Sequence, residues 1–261
     1  MRVSCIQMDM HLGCPEENFP RAASLIAEAA RQKPDVIVLP ETWNTGFFPR
    51  ENLETLCDWD GQRTKAEIGA LAARYQVHIV AGSVSNRRGG RVYNTAMVFD
   101  RAGSCVVSYD KTHLFSPMGE NDFYTPGDTL CRFTLDGLRC ALVICYDIRF
   151  PELIRRLVLP GLDMLFVVSQ WPETRISHLQ TLIAARAIEN QMFVVCCNSC
   201  GTAGEVRYGG CSAVLDPWGQ SIAAARAGET ILQADCDPEI LQRIHATIPV
   251  FRDRRPELYR F

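Results

Sequence analysis

No apolar run in the 261-residue chain approaches the ~18 residues needed to span a bilayer. The opening MRVSCIQMDM lacks the long apolar core of a secretory signal and alternates like a strand instead. There is no basic stripe and the net charge is −3, so neither nucleic acid nor an anionic membrane is expected as a partner. Walker and dinucleotide-binding glycine loops are missing, so no nucleotide is expected. A G-x-S-x-G elbow is missing too, which leaves a serine hydrolase unsupported. The five histidines (His11, His78, His113, His178 and His245) never form an H-x-x-x-H pair, and no metal motif results. No linker or low-complexity tract divides the chain. The expectation is one domain over residues 1–261, with a polar tail from about Ile248.

Cysteine, by contrast, is plentiful, at twelve residues. The chain is far longer than small disulfide scaffolds, and Cys5, Cys105, Cys140, Cys196, Cys211 and Cys236 fall in strand-like runs where cysteine acts as a small hydrophobe. Free thiols in a reducing cytoplasm are therefore expected. Cys197 and Cys200 form a C-x-x-C, but Cys211 alone does not complete a zinc site, and Asn198 and Gly201 place the pair in a loop rather than at a helix start.

The balance of 47% hydrophobic and 22% charged residues is that of an ordinary globular protein. RVSCIQMD reads as a strand, Pro15 to Gln32 as a sided helix, and DVIVLP as a short buried strand. Gly61 to Tyr75 is helical and VHIVAGSV a strand. A hairpin follows, turning at DRAG, and a second strand pair turns at DG. Helices over Phe150 to Leu159 and Thr174 to Asn190 alternate with the strands DMLFVVSQ and MFVVCCN. SAVLDPWGQSIAAAR repeats the look of the earlier hairpin, with DPWG where DRAG stood. ETILQADCD adds a strand, and Pro238 opens a short helix. Two halves of similar pattern imply an α/β sandwich of two sheets with internal pseudo-symmetry.

Three potent side chains share one address, the end of a strand. Glu41 follows DVIVLP, Lys111 follows CVVSYD, and Cys145 follows CALVI. In open α/β sheets that lip is where ligands bind. Singly, each has a plainer reading: a cap, a solvated turn lysine, a core thiol. Together they form a kit for acyl transfer through a thioester. The carboxylate takes the thiol proton and later returns it to leaving ammonia. The ammonium lowers the thiol pKa and, with the backbone N–H after the cysteine, stabilises the oxyanion. The kit needs no metal or cofactor.

VLPETWNTGF, YDKTHLF, LVICYDIRFPEL and ARAIENQMFVV together resemble the successive signatures of the nitrilase superfamily, the carbon–nitrogen hydrolases, in order and over nearly the whole chain. The resemblance implies Glu41 as general base, Lys111 as oxyanion-stabilising cation and Cys145 as nucleophile. It also implies a second glutamate, Glu120, eight residues before Asp128, positioning lysine and substrate; the plainer reading of Glu120 is an exposed loop acid. The implied fold is a four-layer α-β-β-α sandwich of two mixed sheets that forms a homodimer through helices.

CYDIRFPEL, with SQWPETRISHLQTLIAARAIENQ downstream, is similar to the omega-amidase branch, which cleaves the terminal amide of 2-oxo dicarboxylate monoamides such as 2-oxoglutaramate. Other branches cleave nitriles or N-carbamoyl amino acids. A cysteine-rich redox or binding protein is the reading outside the superfamily. A carboxylate-bearing amide calls for cations in the pocket. Arg149 and Arg175 are candidates, though Arg149 equally suits an acid beside the elbow. Tyr146, Phe47, Phe48 and Trp171 are candidate walls, large aromatics here also suiting plain core. Arg186 and Glu189, at i and i+3, read as a structural pair.

Overall fold

The computed structural model describes residues 1–47 and 49–259. The first half runs through β1 (Arg2–Gln7), α1 (Pro15–Ala30), β2 (Val36–Val38), the one-turn α2 (Leu53–Leu56), β3 (Asp58–Trp59), α3 (Gln62–Tyr75), β4 (His78–Arg88), β5 (Arg91–Phe99) and β6 (Cys105–Asp110). The second runs through β7 (Arg132–Leu135), β8 (Leu138–Ile144), α4 (Pro151–Val158), β9 (Met164–Ser169), α5 (Ile176–Asn190), β10 (Phe193–Asn198), β11 (Cys200–Ala203), β12 (Val206–Gly209), β13 (Ala213–Leu215), β14 (Ser221–Ala224), β15 (Thr230–Asp235) and α6 (Glu239–Thr247).

One sheet is ordered β15-β1-β2-β4-β5-β6, with β3 beside β4; the other is ordered β7-β8-β9-β10-β13-β14. Read across, both main paths pair antiparallel, parallel, parallel, antiparallel, antiparallel. Helices α1 and α3 cross between the parallel strands of the first sheet, α4 and α5 between those of the second. The internal pseudo-symmetry is thus a matched topology, and it extends to the turns. Asp100 Oδ1 accepts from Ala102 N and Ser104 N, and Asp216 Oδ1 from Trp218 N and Gln220 N, all at 2.9 Å. Each is a short acid folding the chain back on itself, which is why DRAG and DPWG do one job.

The parallel strands β2 and β9 are buried throughout, and apolar but for Ser169, because both faces are covered. Phe19, Ala22 and Ile26 of α1 and Ile68 and Ala72 of α3 pack on Ile6, Ile37 and Ile79. The opposite face of that sheet (Val3, Cys5, Val36, Val38, Val80) packs in a core shared with the second sheet and its helices. These are the four layers, helix, sheet, sheet, helix.

Three local expectations are corrected. Cys211 lies in a turn at φ +56, and Cys236 just past β15, so neither is in a strand. The C-x-x-C is no open loop: Cys197 is in β10 and Cys200 opens β11, which pairs with β12 as a separate ribbon that the pattern did not disclose. All twelve cysteines are free. No helix among the described residues is long and apolar enough to cross a membrane. Beyond α6 the chain stays tied to the body: Gln191 Nε2 donates to Ile248 O at 2.8 Å, and Phe251 lies beneath the Arg155 guanidinium.

A polar clamp joins the sheets through their turns. In the β7–β8 turn, Asp136 accepts from His78 Nε2 at 2.9 Å and from Arg101 Nη2 at 2.5 Å. Chiefly through the Arg101 bond, its carboxyl is held down to about 2 from 3.8 despite partial burial. A depressed folded value means stabilisation present above the unfolded pKa and lost as pH falls through the folded one. Asp136→Asn should therefore lower the unfolding free energy measured in urea at pH 5, by under about 1 kcal/mol for so exposed a pair. The gap to wild type should close toward pH 2. A gap independent of pH would rule this out.

Candidate active site

Glu41 owes its place to two backbone features. Strand β2 ends at Val38, and Leu39–Pro40 carry the chain over the lip of the sheet. There β4 bulges between Val80 and Ser83. Gly82, at φ +59, sits so close that a Cβ would lie 1.9 Å from the Pro40 carbonyl oxygen, and only glycine tolerates both the approach and the conformation. Glu41 is wholly buried. Its Oε2 accepts from the Gln170 backbone N–H at 2.8 Å, and its Oε1 from Lys111 Nζ at 2.8 Å and Asn94 Nδ2 at 2.9 Å.

Lys111 leaves the end of β6, its N–H still bonded to Asn94 O at 2.9 Å. It too is fully buried, and its ammonium donates to Glu120 Oε1 at 2.9 Å and Oε2 at 2.8 Å as well as to Glu41. Burial alone would push the ammonium toward neutrality. The charges of Glu120 and Glu41 more than reverse this and hold its pKa well above the usual lysine value. Glu120 is not the exposed loop acid of the plainer reading. It lies fully buried in a 3₁₀ turn, and its Oε2 accepts from Phe115 N–H at 2.5 Å, closing the loop on itself. Burial raises its pKa, with Lys111 opposing and Glu41 adding.

Cys145 follows β8 at φ +47, a left-handed backbone rare outside glycine, and begins a 3₁₀ turn through Arg149. The kink turns the side chain from the strand into the cleft. Burial, then the Glu41 charge, pushes the thiol pKa well up, with Lys111 only partly opposing. The ammonium does act downward on the thiol, as expected, but burial and the Glu41 charge outweigh it.

The cleft, about 330 Å³ of empty space with its mouth included, is lined by Cys145, Phe47, Tyr146, Arg149, Trp171 and Arg175, together with Phe115, Met118, Gln170 and Pro172. Phe48 lies outside the described residues. Phe47 faces the Lys111 ammonium at 5.6 Å. Arg149 stacks over Trp171 at 4.9 Å and meets His178 Nδ1 at 3.2 Å, rather than an acid beside the elbow. Arg175 lies over Phe115 at 5.3 Å. Neither guanidinium has a carboxylate partner among the described residues. Arg186 does pair with Glu189, at 2.8 Å, and also donates twice to Ile148 O, bracing the elbow from α5. No cluster of three metal-ligating side chains occurs among the described residues.

Sequence reasoning missed two residues of the network. Asn94 of β5 bridges both glutamates, donating to Glu120 Oε1 at 3.3 Å besides Glu41. Asp147 gathers hydrogen bonds from the segment that carries Lys111. An asparagine or aspartate inside an apolar pattern was the available signal, since buried polar groups need partners.

The family model described as carbon-nitrogen hydrolase matches residues 2–246. The chain is 40% identical over 257 residues to 2-oxoglutaramate amidase of Bacillus subtilis, covering 98% of each chain. It is 32% identical over 272 residues to omega-amidase NIT2 of Mus musculus, covering 99% of this chain and 96% of the relative. The crystal structure of XC1258 from Xanthomonas campestris, a CN-hydrolase superfamily protein with an arsenic adduct in its active site, superposes with a TM-score of 0.91 at 31% identity, covering 98% of this chain and 97% of that one. The chain belongs to the carbon–nitrogen hydrolase family.

Proposed function

We propose that the protein hydrolyses the terminal carboxamide of a small 2-oxo dicarboxylate monoamide, such as 2-oxoglutaramate. In this reading Glu41 takes the proton of the Cys145 thiol, and the thiolate adds to the amide carbon. The oxyanion forms against the Lys111 ammonium and the backbone N–H following the nucleophile. Glu41 returns its proton to the nitrogen, and ammonia leaves. Glu41 then deprotonates water, which attacks the thioester; the acid departs and the thiol is restored. Glu120 holds Lys111 and helps place the substrate.

The observation that carries the substrate assignment is the pair of guanidiniums at the pocket, Arg149 and Arg175, with no carboxylate opposite either among the described residues. A carboxylate on the substrate would answer them, and arginine binds carboxylates in a bidentate fork. The likeness to 2-oxoglutaramate amidase supports the same choice.

An ammonia-release screen over small amides, nitriles and N-carbamoyl amino acids tests it. The expected best substrate has a free carboxylate and a 2-oxo group, and releases ammonia without carbon dioxide. Arg149→Met or Arg175→Met should raise KM for it by about ten- to a hundredfold, the worth of a charged hydrogen bond, while sparing uncharged amides. Faster turnover of a nitrile or a carbamoyl compound would sink the assignment.

A further inference from the structure

The two halves of the sandwich supply different parts of the site. Lys111 and both glutamates come from the first half, Cys145 from the second. Something must fix the lysine segment against the cysteine elbow. Asp147, two residues after Cys145, is fully buried and has no lysine or arginine partner among the described residues. Its Oδ2 accepts from Tyr109 OH at 2.8 Å and from Ile144 N–H at 3.1 Å. Its Oδ1 accepts from Thr112 Oγ1 at 3.0 Å and from the backbone N–H and Nδ1 of His113, both at 2.9 Å. The donors stand on both sides of Lys111 in sequence, and the fifth is the residue just before Cys145. One carboxylate therefore brackets the cation and anchors the turn that carries the nucleophile. His113 in turn lies flat on Phe150 at 3.7 Å. Phe150 meets Tyr146 edge-on at 5.2 Å, and Tyr146 meets Phe115 at 5.0 Å, so the clamp extends to the pocket wall.

We infer that Asp147 is a positioning residue, setting the register between the Lys111 ammonium and the Cys145 sulfur. The inference rests on the roles proposed above for those two groups. An ionised carboxylate suits the task because it accepts at both oxygens. An amide offers one acceptor and, on its other side, an N–H that faces donors already pointing inward.

The test is Asp147→Asn, with kcat expressed per folded protein, the folded fraction taken from gel filtration and circular dichroism. Misplacement near 1 Å costs about 10²-fold in rate. The expected result is a kcat fall of that order with KM changed less than threefold, and a matching fall in single-turnover acylation. A kcat within threefold of wild type in folded Asp147→Asn overturns the inference. If that variant does not fold, Tyr109→Phe combined with Thr112→Val removes two of the five donors and leaves the carboxylate in place. Its kcat should fall about tenfold at nearly constant KM, and an unchanged kcat again overturns the inference. The underlying roles fail separately: wild type with Cys145 fully alkylated would remain active.

Discussion

Cys145→Ala is expected to abolish turnover while leaving the fold intact. Loss of a nucleophile from a coupled set costs on the order of 10⁶ in kcat. The change deletes one sulfur from a small pocket, and alanine tolerates φ +47 no worse than cysteine does. Folded Cys145→Ala that retains more than a hundredth of the activity would remove Cys145 from its role. The strained backbone gives a further check. Cys145→Gly should be as dead as the alanine variant yet melt higher, because glycine occupies the left-handed region without steric cost. Intact-mass spectrometry of wild type with a slow substrate should place an acyl adduct on this residue.

Glu41→Gln should lower kcat about 10²-fold or more, failing both in forming the thioester and in hydrolysing it. Burial and the Glu41 charge both act against the thiolate, which makes the loss of the base severe. Stability should not suffer in proportion. Two buried carboxylates face one ammonium, so removing one leaves Lys111 paired with Glu120 instead of stranded. Glu120→Gln should behave differently, acylating slowly, with KM worsened as well as kcat. Single-turnover acylation followed by mass spectrometry separates the two. Rapid acylation in Glu41→Gln with none in Glu120→Gln would mean that the two carboxylates exchange roles.

Much of this site was legible in the sequence because buried parallel strands write themselves as unbroken apolar runs. DVIV and CALVI announce their own ends, and a glutamate or cysteine placed there stands out. The matched hairpins were legible for a similar reason, since their turns use the same short acid. What stayed hidden depends on packing between distant segments. Glu120 was named through the family resemblance, but its burial was not legible: it sits among Gly119, Asn121 and Asp122, a composition that reads as exposed loop, and its partners Lys111, Asn94 and Phe115 explain the burial. Asn94 and Asp147 look like interruptions in apolar stretches until their partners, up to 53 residues away, are in place. The net rise of the thiol pKa was hidden too, because desolvation is a property of the closed cleft. The β11–β12 ribbon was missed because its strands are four residues each, too short for alternation to register.

The order of strands in the first sheet bears on biosynthesis. Strand β1 is paired on one side with β2, only some thirty residues on, but on the other with β15, in register from Arg2 opposite Asp235 to Gln7 opposite Thr230. On the ribosome, the outer edge of β1 therefore has no native partner until nearly the whole sequence has emerged. At roughly 5–20 residues per second that is an interval of about ten seconds or more. A strand with a bare edge invites pairing with a neighbouring nascent chain. Nonsense mutations or proteolysis between β14 and β15 should accordingly be felt less as lost catalysis than as insolubility, since they leave β1 without the strand that covers its outer edge.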